Sequence, residues 1–202
     1  MKKVASLALT IQRYCQGIVI MCIPFICMCV GLPSWVCVVC GLVVFWLYVL
    51  FKNNFDFRLH TVIRDDEGKY IILDIEMLGK RMTLVNLYAP SSGDHPEYFE
   101  KNEKDIDKIA NNYILIGGDW NLFLNPALDS SRYRAVNRPR ARKKVYDLML
   151  KYDLIDSWRE LYPEKKKYPW RRFKSFVQGR LDYFLLSQAL NVQVKNANIS
   201  PG

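Results

Sequence analysis

Tyr113-Ile114-Leu115-Ile116-Gly117-Gly118-Asp119-Trp120-Asn121 is the stretch from which the rest of the chain can be read. Tyr113 to Ile116 is short and wholly apolar, the pattern of a central strand buried on both faces. Gly117 and Gly118 predict a sharp backbone turn after it. Asp119 then emerges at the carboxyl end of a strand. There an aspartate can take a proton from water, and an asparagine two residues on can donate to a phosphate oxygen. The same spacing is that of an ordinary Asx turn, and the motif alone leaves both readings open.

Working outward, strands and helices alternate. In Tyr70 to Met77, Ile71, Leu73, Ile75 and Met77 face one way and Asp74 and Glu76 the other, which predicts a half-buried strand. Leu78-Gly79-Lys80 turns the chain into a paired strand from Met82 to Tyr88. Pro96 opens a helix in which Phe99, Ile106, Ile109 and Ala110 keep helical spacing as far as Asn111-Asn112. A second helix starts near Pro139, with Ala141, Val145, Leu148, Met149 and Tyr152 as its buried stripe. Tyr168 to Phe173 and Leu181 to Leu186 read as late strands. Interleaved elements with at least one hairpin predict an α/β fold, sheets covered by helices.

The 202 residues suffice for one domain with a real core. Half of them are hydrophobic, and the excess is concentrated. From Gly17 to Phe51 there is no Asp, Glu, Lys or Arg, and all six cysteines lie in or beside this run. As a helix it would span roughly 50 Å at about 1.5 Å per residue, against a bilayer core of about 30 Å. Gly31-Leu32-Pro33-Ser34 interrupts it, so one or two transmembrane helices are expected. Phe45, Trp46 and Tyr48 before Lys52 resemble an interfacial belt with a basic flank. The expected division is an apolar segment, 1–50, and a soluble domain, 51–202. The expected partner of residues 17–51 is a membrane, and the chain is nuclear or cytoplasmic if they are not inserted. A signal peptide and an apolar stretch without a membrane role are the rival readings. Cys37-Val-Val-Cys40 lacks the second pair a zinc site needs. The net charge is +9; three basic residues precede the run, leaving 26 basic against 20 acidic elsewhere. A basic domain points to polyanion partners.

Two further segments bear on Asp119. Val85-Asn86-Leu87-Tyr88-Ala89-Pro90 ends a strand with a tyrosine and a proline turn. Gly179-Arg180-Leu181-Asp182-Tyr183-Phe184 places an aspartate at the start of a late strand. Taken singly, Tyr88 reads as a half-buried strand residue, and Asp182 as a strand-end cap or an ion-pair partner of Arg180. In their order and separation the three segments resemble the endonuclease/exonuclease/phosphatase family. They are most similar to the endonuclease at the front of LINE-type (non-LTR) retrotransposon polyproteins. Asn54-Phe55-Asp56-Phe57, Arg64 to Tyr70 and Asp156-Ser157-Trp158-Arg159 support the match, which runs from about Phe51 to the end.

The resemblance implies a partial four-layer α/β sandwich and metal-dependent hydrolysis of a DNA phosphodiester. It implies that Asp119 orients or deprotonates the attacking water. Asn121 would hold the scissile phosphate and Tyr88 would donate a hydrogen bond to it. Asp182 would orient a histidine near the C-terminus. Magnesium would neutralise the phosphate and the leaving oxygen. The family's metal-binding glutamate has no counterpart in the apolar run, and the partner histidine of Asp182 is expected beyond Gly202. His60 and His95 read as surface residues. Pro169 stands where these endonucleases usually hold a threonine. The expectation is a domain truncated at both ends and catalytically impaired.

Arg132, Arg134, Arg138, Arg140, Lys143, Lys144, Arg171 and Arg172 form two basic segments. They read as DNA-backbone contacts or as a solvated surface. Weak, salt-dependent DNA binding is expected. The alternatives are a membrane-anchored remnant without catalysis, and an enzyme that borrows its missing groups from another chain.

Overall fold

The computed structural model describes residues 7–11, 18–23, 35–40, 46–52, 56–133, 138–172, 176–192 and 194–199. The strands are β1 (Leu7–Ile11), β2 (Ile18–Ile23), β3 (Trp35–Cys40), β4 (Trp46–Lys52), β5 (Arg58–Arg64), β6 (Tyr70–Met77), β7 (Lys80–Tyr88), β8 (Tyr113–Asp119), β9 (Ser130–Ser131), β10 (Leu154–Asp156), β11 (Trp170–Arg171), β12 (Gln178–Gly179), β13 (Asp182–Ser187) and β14 (Val194–Ile199). The helices are α1 (Pro96–Asp107), α2 (Pro126–Asp129), α3 (Pro139–Lys151), α4 (Ser157–Leu161) and α5 (Gln188–Asn191).

The central sheet has six strands in the order β10-β13-β8-β7-β6-β5. β6 and β7 form the expected hairpin, turning at Leu78 and Gly79, which both have positive φ. β7 and β8 run parallel, with α1 between them in the chain. β13 returns antiparallel beside β8.

Alternate residues of these strands enter two different cores. Tyr70, Ile72, Val85, Leu87, Ile114, Ile116, Tyr183 and Leu185 pack with Phe99 and Ile106 of α1 and Ala141, Val145 and Leu148 of α3. Ile71, Leu73, Ile75, Met82, Leu84, Leu115, Phe184 and Leu186 pack on the opposite face, together with Val49 of β4. β6 is therefore buried on both faces, a correction to the half-buried reading. Asp74, 1% exposed, is tolerated there because the Arg81 guanidinium and the Asn111 side-chain amide donate to it. Asn111 also bonds the Thr83 hydroxyl and the Ile109 carbonyl, and α1 stops at Asp107 rather than continuing to Asn111-Asn112.

Val49, fully buried, identifies what covers the second face. β2, β4 and β3 form a three-stranded sheet in that order, and β2 and β4 pack across β7 and β8. β1 pairs with β14. The described parts of the apolar run are thus strands, not the helices expected of it. The physical reason is that a strand covered on both faces is as unbroken in its hydrophobicity as a membrane helix. The Val, Ile, Trp and Tyr content suits a pleated, packed surface. Among the described residues no helix is long and apolar enough to cross a membrane. The Gly31-Pro33 break lies outside the described residues. Helices, the six-stranded sheet and the three-stranded sheet make three layers. A fourth layer has no counterpart among the described residues.

Burying a valine completely contributes about 1.5–3 kcal/mol. Val49→Ala is therefore expected to lower the stability of the whole domain by about 2 kcal/mol, read as a shifted urea midpoint. An unchanged midpoint would mean that β4 is not part of the core.

Candidate active site

Three of the four candidate catalytic residues stand on one rung of the central sheet. Tyr88 is opposite Asp119 in the parallel β7–β8 pair, and Asp182 is opposite Asp119 in the antiparallel β13–β8 pair. Each belongs to the alternation that faces the three-stranded sheet: Met82 and Leu84 precede Tyr88, Leu115 precedes Asp119, and Phe184 and Leu186 follow Asp182. All three are half-buried at the same end of the sheet. A phenol and two carboxylates in register on one rung are the groups with which a site can orient water and donate to an anion.

The two glycines have a different purpose from the turn predicted for them. Both lie within β8. A Cβ on Gly117 would fall 2.3 Å from the Phe184 ring, and one on Gly118, at φ +143, would fall 1.9 Å from the Leu87 carbonyl oxygen. They let β8 sit against its neighbours just before Asp119.

Past the rung, the chain is pinned. The Ala89 amide donates to the Asp119 carbonyl at 2.8 Å, and the Trp120 amide to the Leu181 carbonyl at 2.9 Å. Trp120 is buried, stacked between Phe99 and Tyr183, and its indole N–H donates to the Tyr183 carbonyl. Sequence reading missed Trp120, whose only signal was a large aromatic inside the motif. Asn121 adopts φ +51, a left-handed conformation that asparagine tolerates. Its amide N–H donates to Asp119 Oδ1 at 2.9 Å, which is the Asx turn. Its side-chain Nδ2 donates to the Ala89 carbonyl at 2.8 Å, bracing the ends of β7 and β8 together.

Arg180 is directed elsewhere than Asp182. It is 1% exposed, and its Nε donates to Asp129 at 3.0 Å while Nη2 donates to Asp156 at 2.5 Å. Arg159 joins through Asp129 at 2.6 Å. Burial opposes the Arg180 charge, but the Asp156 and Asp129 carboxylates outweigh it and hold its pKa above the ordinary arginine value.

The basic residues divide. Arg140 bonds Asp94, Lys143 bonds Asp147, and Lys144 bonds Glu103 of α1, so these three are matched within the chain. Arg132, Arg171 and Arg172 are exposed around the small β11-β12-β9 sheet. Arg132 lies over the ring of Phe176, which is 78% exposed, and Arg172 over that of Tyr133. Arg134 lies outside the described residues. Arg138 reaches the Pro90 carbonyl. His60 pairs with Glu76 and His95 with Glu97.

Among the described residues no three His, Cys, Asp or Glu side chains gather as a metal cage. Magnesium needs only one or two protein carboxylates when a substrate phosphate completes its shell, and Asp119 and Asp182 are the two carboxylates of this rung. The pair fits an ion shared with a ligand. The glycine geometry yields a direct check. Gly118→Ala is expected to cost several kcal/mol, since nothing but backbone faces the new methyl. Gly79→Ala, with open space around it, should cost about 1 kcal/mol. Equal losses in thermal unfolding would contradict the close approach of β8 to β7.

No family model matches the chain. It is 26% identical over 166 residues to the transposon TX1 uncharacterized 149 kDa protein of Xenopus laevis, covering 79% of this chain and 12% of that protein. It is 25% identical over 156 residues to an exodeoxyribonuclease of Bacillus subtilis (strain 168), covering 67% of this chain and 59% of that protein. The chain thus spans only part of both relatives. Among solved structures, an AP endonuclease from Archaeoglobus fulgidus superposes with a TM-score of 0.68 at 16% identity, over 87% of this chain and 78% of that one. The endonuclease domain of TRAS1, a telomere-specific non-LTR retrotransposon, superposes with a TM-score of 0.54 at 14% identity, over 86% and 74%. The chain has the fold of the endonuclease/exonuclease/phosphatase proteins, and its neighbours in that fold include a non-LTR retrotransposon endonuclease.

Proposed function

We propose that this domain is a DNA-phosphodiester-binding module of the retrotransposon endonuclease type, with its hydrolytic activity impaired. The observation that carries the reading is the single rung holding Tyr88, Asp119 and Asp182. Likeness of fold and the transposon relative support phosphodiester hydrolysis as the ancestral chemistry.

In this reading the Asp119 carboxylate orients the attacking water and accepts its proton. The Tyr88 phenol donates to a phosphate oxygen, where negative charge grows during attack. Asn121 spends one side-chain N–H on Ala89 and has a second to offer the phosphate. Asp182, opposite Asp119, contributes the second carboxylate for magnesium. Magnesium, when bound, neutralises charge on the phosphate and the leaving oxygen. Arg132, Arg171 and Arg172, with Phe176, offer a basic and aromatic surface to the DNA backbone.

The impairment rests on the composition of the first four strands. β1 to β4 contain no Asp or Glu, so the metal-binding glutamate that the resemblance implies is not among them. Groups that act as a unit lose several orders of magnitude in rate when one is removed. Phosphate contacts by Lys and Arg do not depend on it.

The test is a supercoiled-plasmid assay with magnesium, run on the full chain and on Asp119→Ala. Both proteins should retard DNA at low salt, release it as salt rises, and leave the plasmid intact. Nicking that Asp119→Ala abolishes would show a competent nuclease and overturn the impairment. Failure of the full chain to bind DNA at low salt would overturn the DNA reading itself.

A further inference from the structure

Arg138 differs from the other basic residues of its segment. It immediately precedes Pro139, the first residue of α3, with φ 44° and ψ 67°. That left-handed conformation costs a residue with a side chain about 1–2 kcal/mol, and a following proline normally favours extended backbone. A residue held there needs contacts that over-determine it.

The contact is at the far end of the side chain. Nη1 donates to the Pro90 carbonyl. Pro90 belongs to the turn that leaves the Tyr88–Asp119–Asp182 rung, and its predecessor is already fastened twice. The Ala89 amide donates to Asp119, and the Ala89 carbonyl accepts from Asn121. Arg138 makes a third link to the same turn, which places its guanidinium beside the rung. Burial works against its charge and lowers its pKa below the ordinary arginine value, with Tyr133, Asp119, Asp94 and Tyr88 acting in the opposite direction. An arginine nevertheless stays protonated in a protein.

Arg140, Lys143 and Lys144 are each matched by a carboxylate of the chain. Among the described residues Arg138 forms no such ion pair. Its planar fork has five N–H donors, and one is committed to Pro90. A fixed, half-buried guanidinium with donors to spare suits bidentate capture of a phosphate.

We propose that Arg138 is a phosphate-binding residue of this site, holding the same DNA phosphate that Tyr88 and Asn121 address. The inference rests on the phosphodiester reading above and extends it. Tethered to the turn that leaves the rung, Arg138 brings positive charge beside it.

The ligand for the test is thymidylyl-(3′→5′)-thymidine, which carries one phosphate, and its uncharged methylphosphonate analogue. Arginine Nε–H resonances of the full chain are followed by NMR, the Arg138 signal being assigned by its loss in Arg138→Lys. That signal should move with the phosphate dimer and stay still with the methylphosphonate. Affinity for the phosphate dimer should fall about tenfold in Arg138→Met, and Arg138→Lys should recover part of it. An Arg138 signal that ignores both ligands, or follows both equally, overturns the assignment, as does wild-type affinity in Arg138→Met. If the wild-type chain still binds a 20-base-pair duplex at low salt, such a result removes Arg138 alone. If it binds no duplex, the DNA reading falls with it.

Discussion

The structure turns on one constraint: β7, β8 and β13 are hydrophobic on both faces, so the central sheet needs two covers. α1 and α3 form one, and the sheet β2-β4-β3 forms the other. The alternation that fills the space between the two sheets also ends in the site. Met82 and Leu84 lead to Tyr88, Leu115 leads to Asp119, and Leu186 and Phe184 lead to Asp182. A slip of one residue in any of these strands would carry its polar group to the helix side and its apolar set with it. Packing and chemistry are therefore specified by the same register.

That link explains what the sequence made legible. The hairpin, the strand at Tyr113 and the helices opening at Pro96 and Pro139 follow from periodicity and proline position. Tyr88, Asp119 and Asp182 came from motif and resemblance. Their common rung could not, because register between strands far apart in sequence leaves no local mark. The glycines misled for a related reason. A glycine that permits a turn and a glycine that admits a close neighbour read alike, and Gly117, against the Phe184 ring, and Gly118, against the Leu87 backbone, are of the second kind. The apolar run misled because hydrophobicity measures removal from water and not what does the removing. A bilayer and a second sheet impose the same composition. Gly31-Leu32-Pro33-Ser34 and the β-branched and aromatic content were the signals that favoured short strands.

Charge was the least legible property. Eight basic residues looked alike as DNA contacts, yet three are matched by carboxylates on or beside α3. Lys144 even serves helix packing, since Glu103 on α1 also receives Lys151 at 2.9 Å. Arg132 and Arg172 instead lie over aromatic rings and Arg171 donates to the Gln178 side chain, around a small sheet where no acidic side chain pairs with them among the described residues. Only the folded geometry separates a cation that is used from one that is offered.

The buried ions then tie that small sheet to the rung. The Arg180 amide donates to the Asp129 carbonyl, and its side chain reaches both Asp129, beside β9, and Asp156, at the end of β10. Two residues later the chain arrives at Asp182. Each of these ions would be costly in the core without its partners, and a buried pair that loses one member is typically destabilised by about 3–5 kcal/mol. The network therefore has no inexpensive partly formed state. β9, β12 and the start of β13 are held as one unit, so the surface carrying Arg132, Arg171 and Arg172 keeps a fixed distance from Asp182. On the function proposed, a DNA backbone bound on that surface would be presented to the rung by the same ions that hold Arg180 in the core.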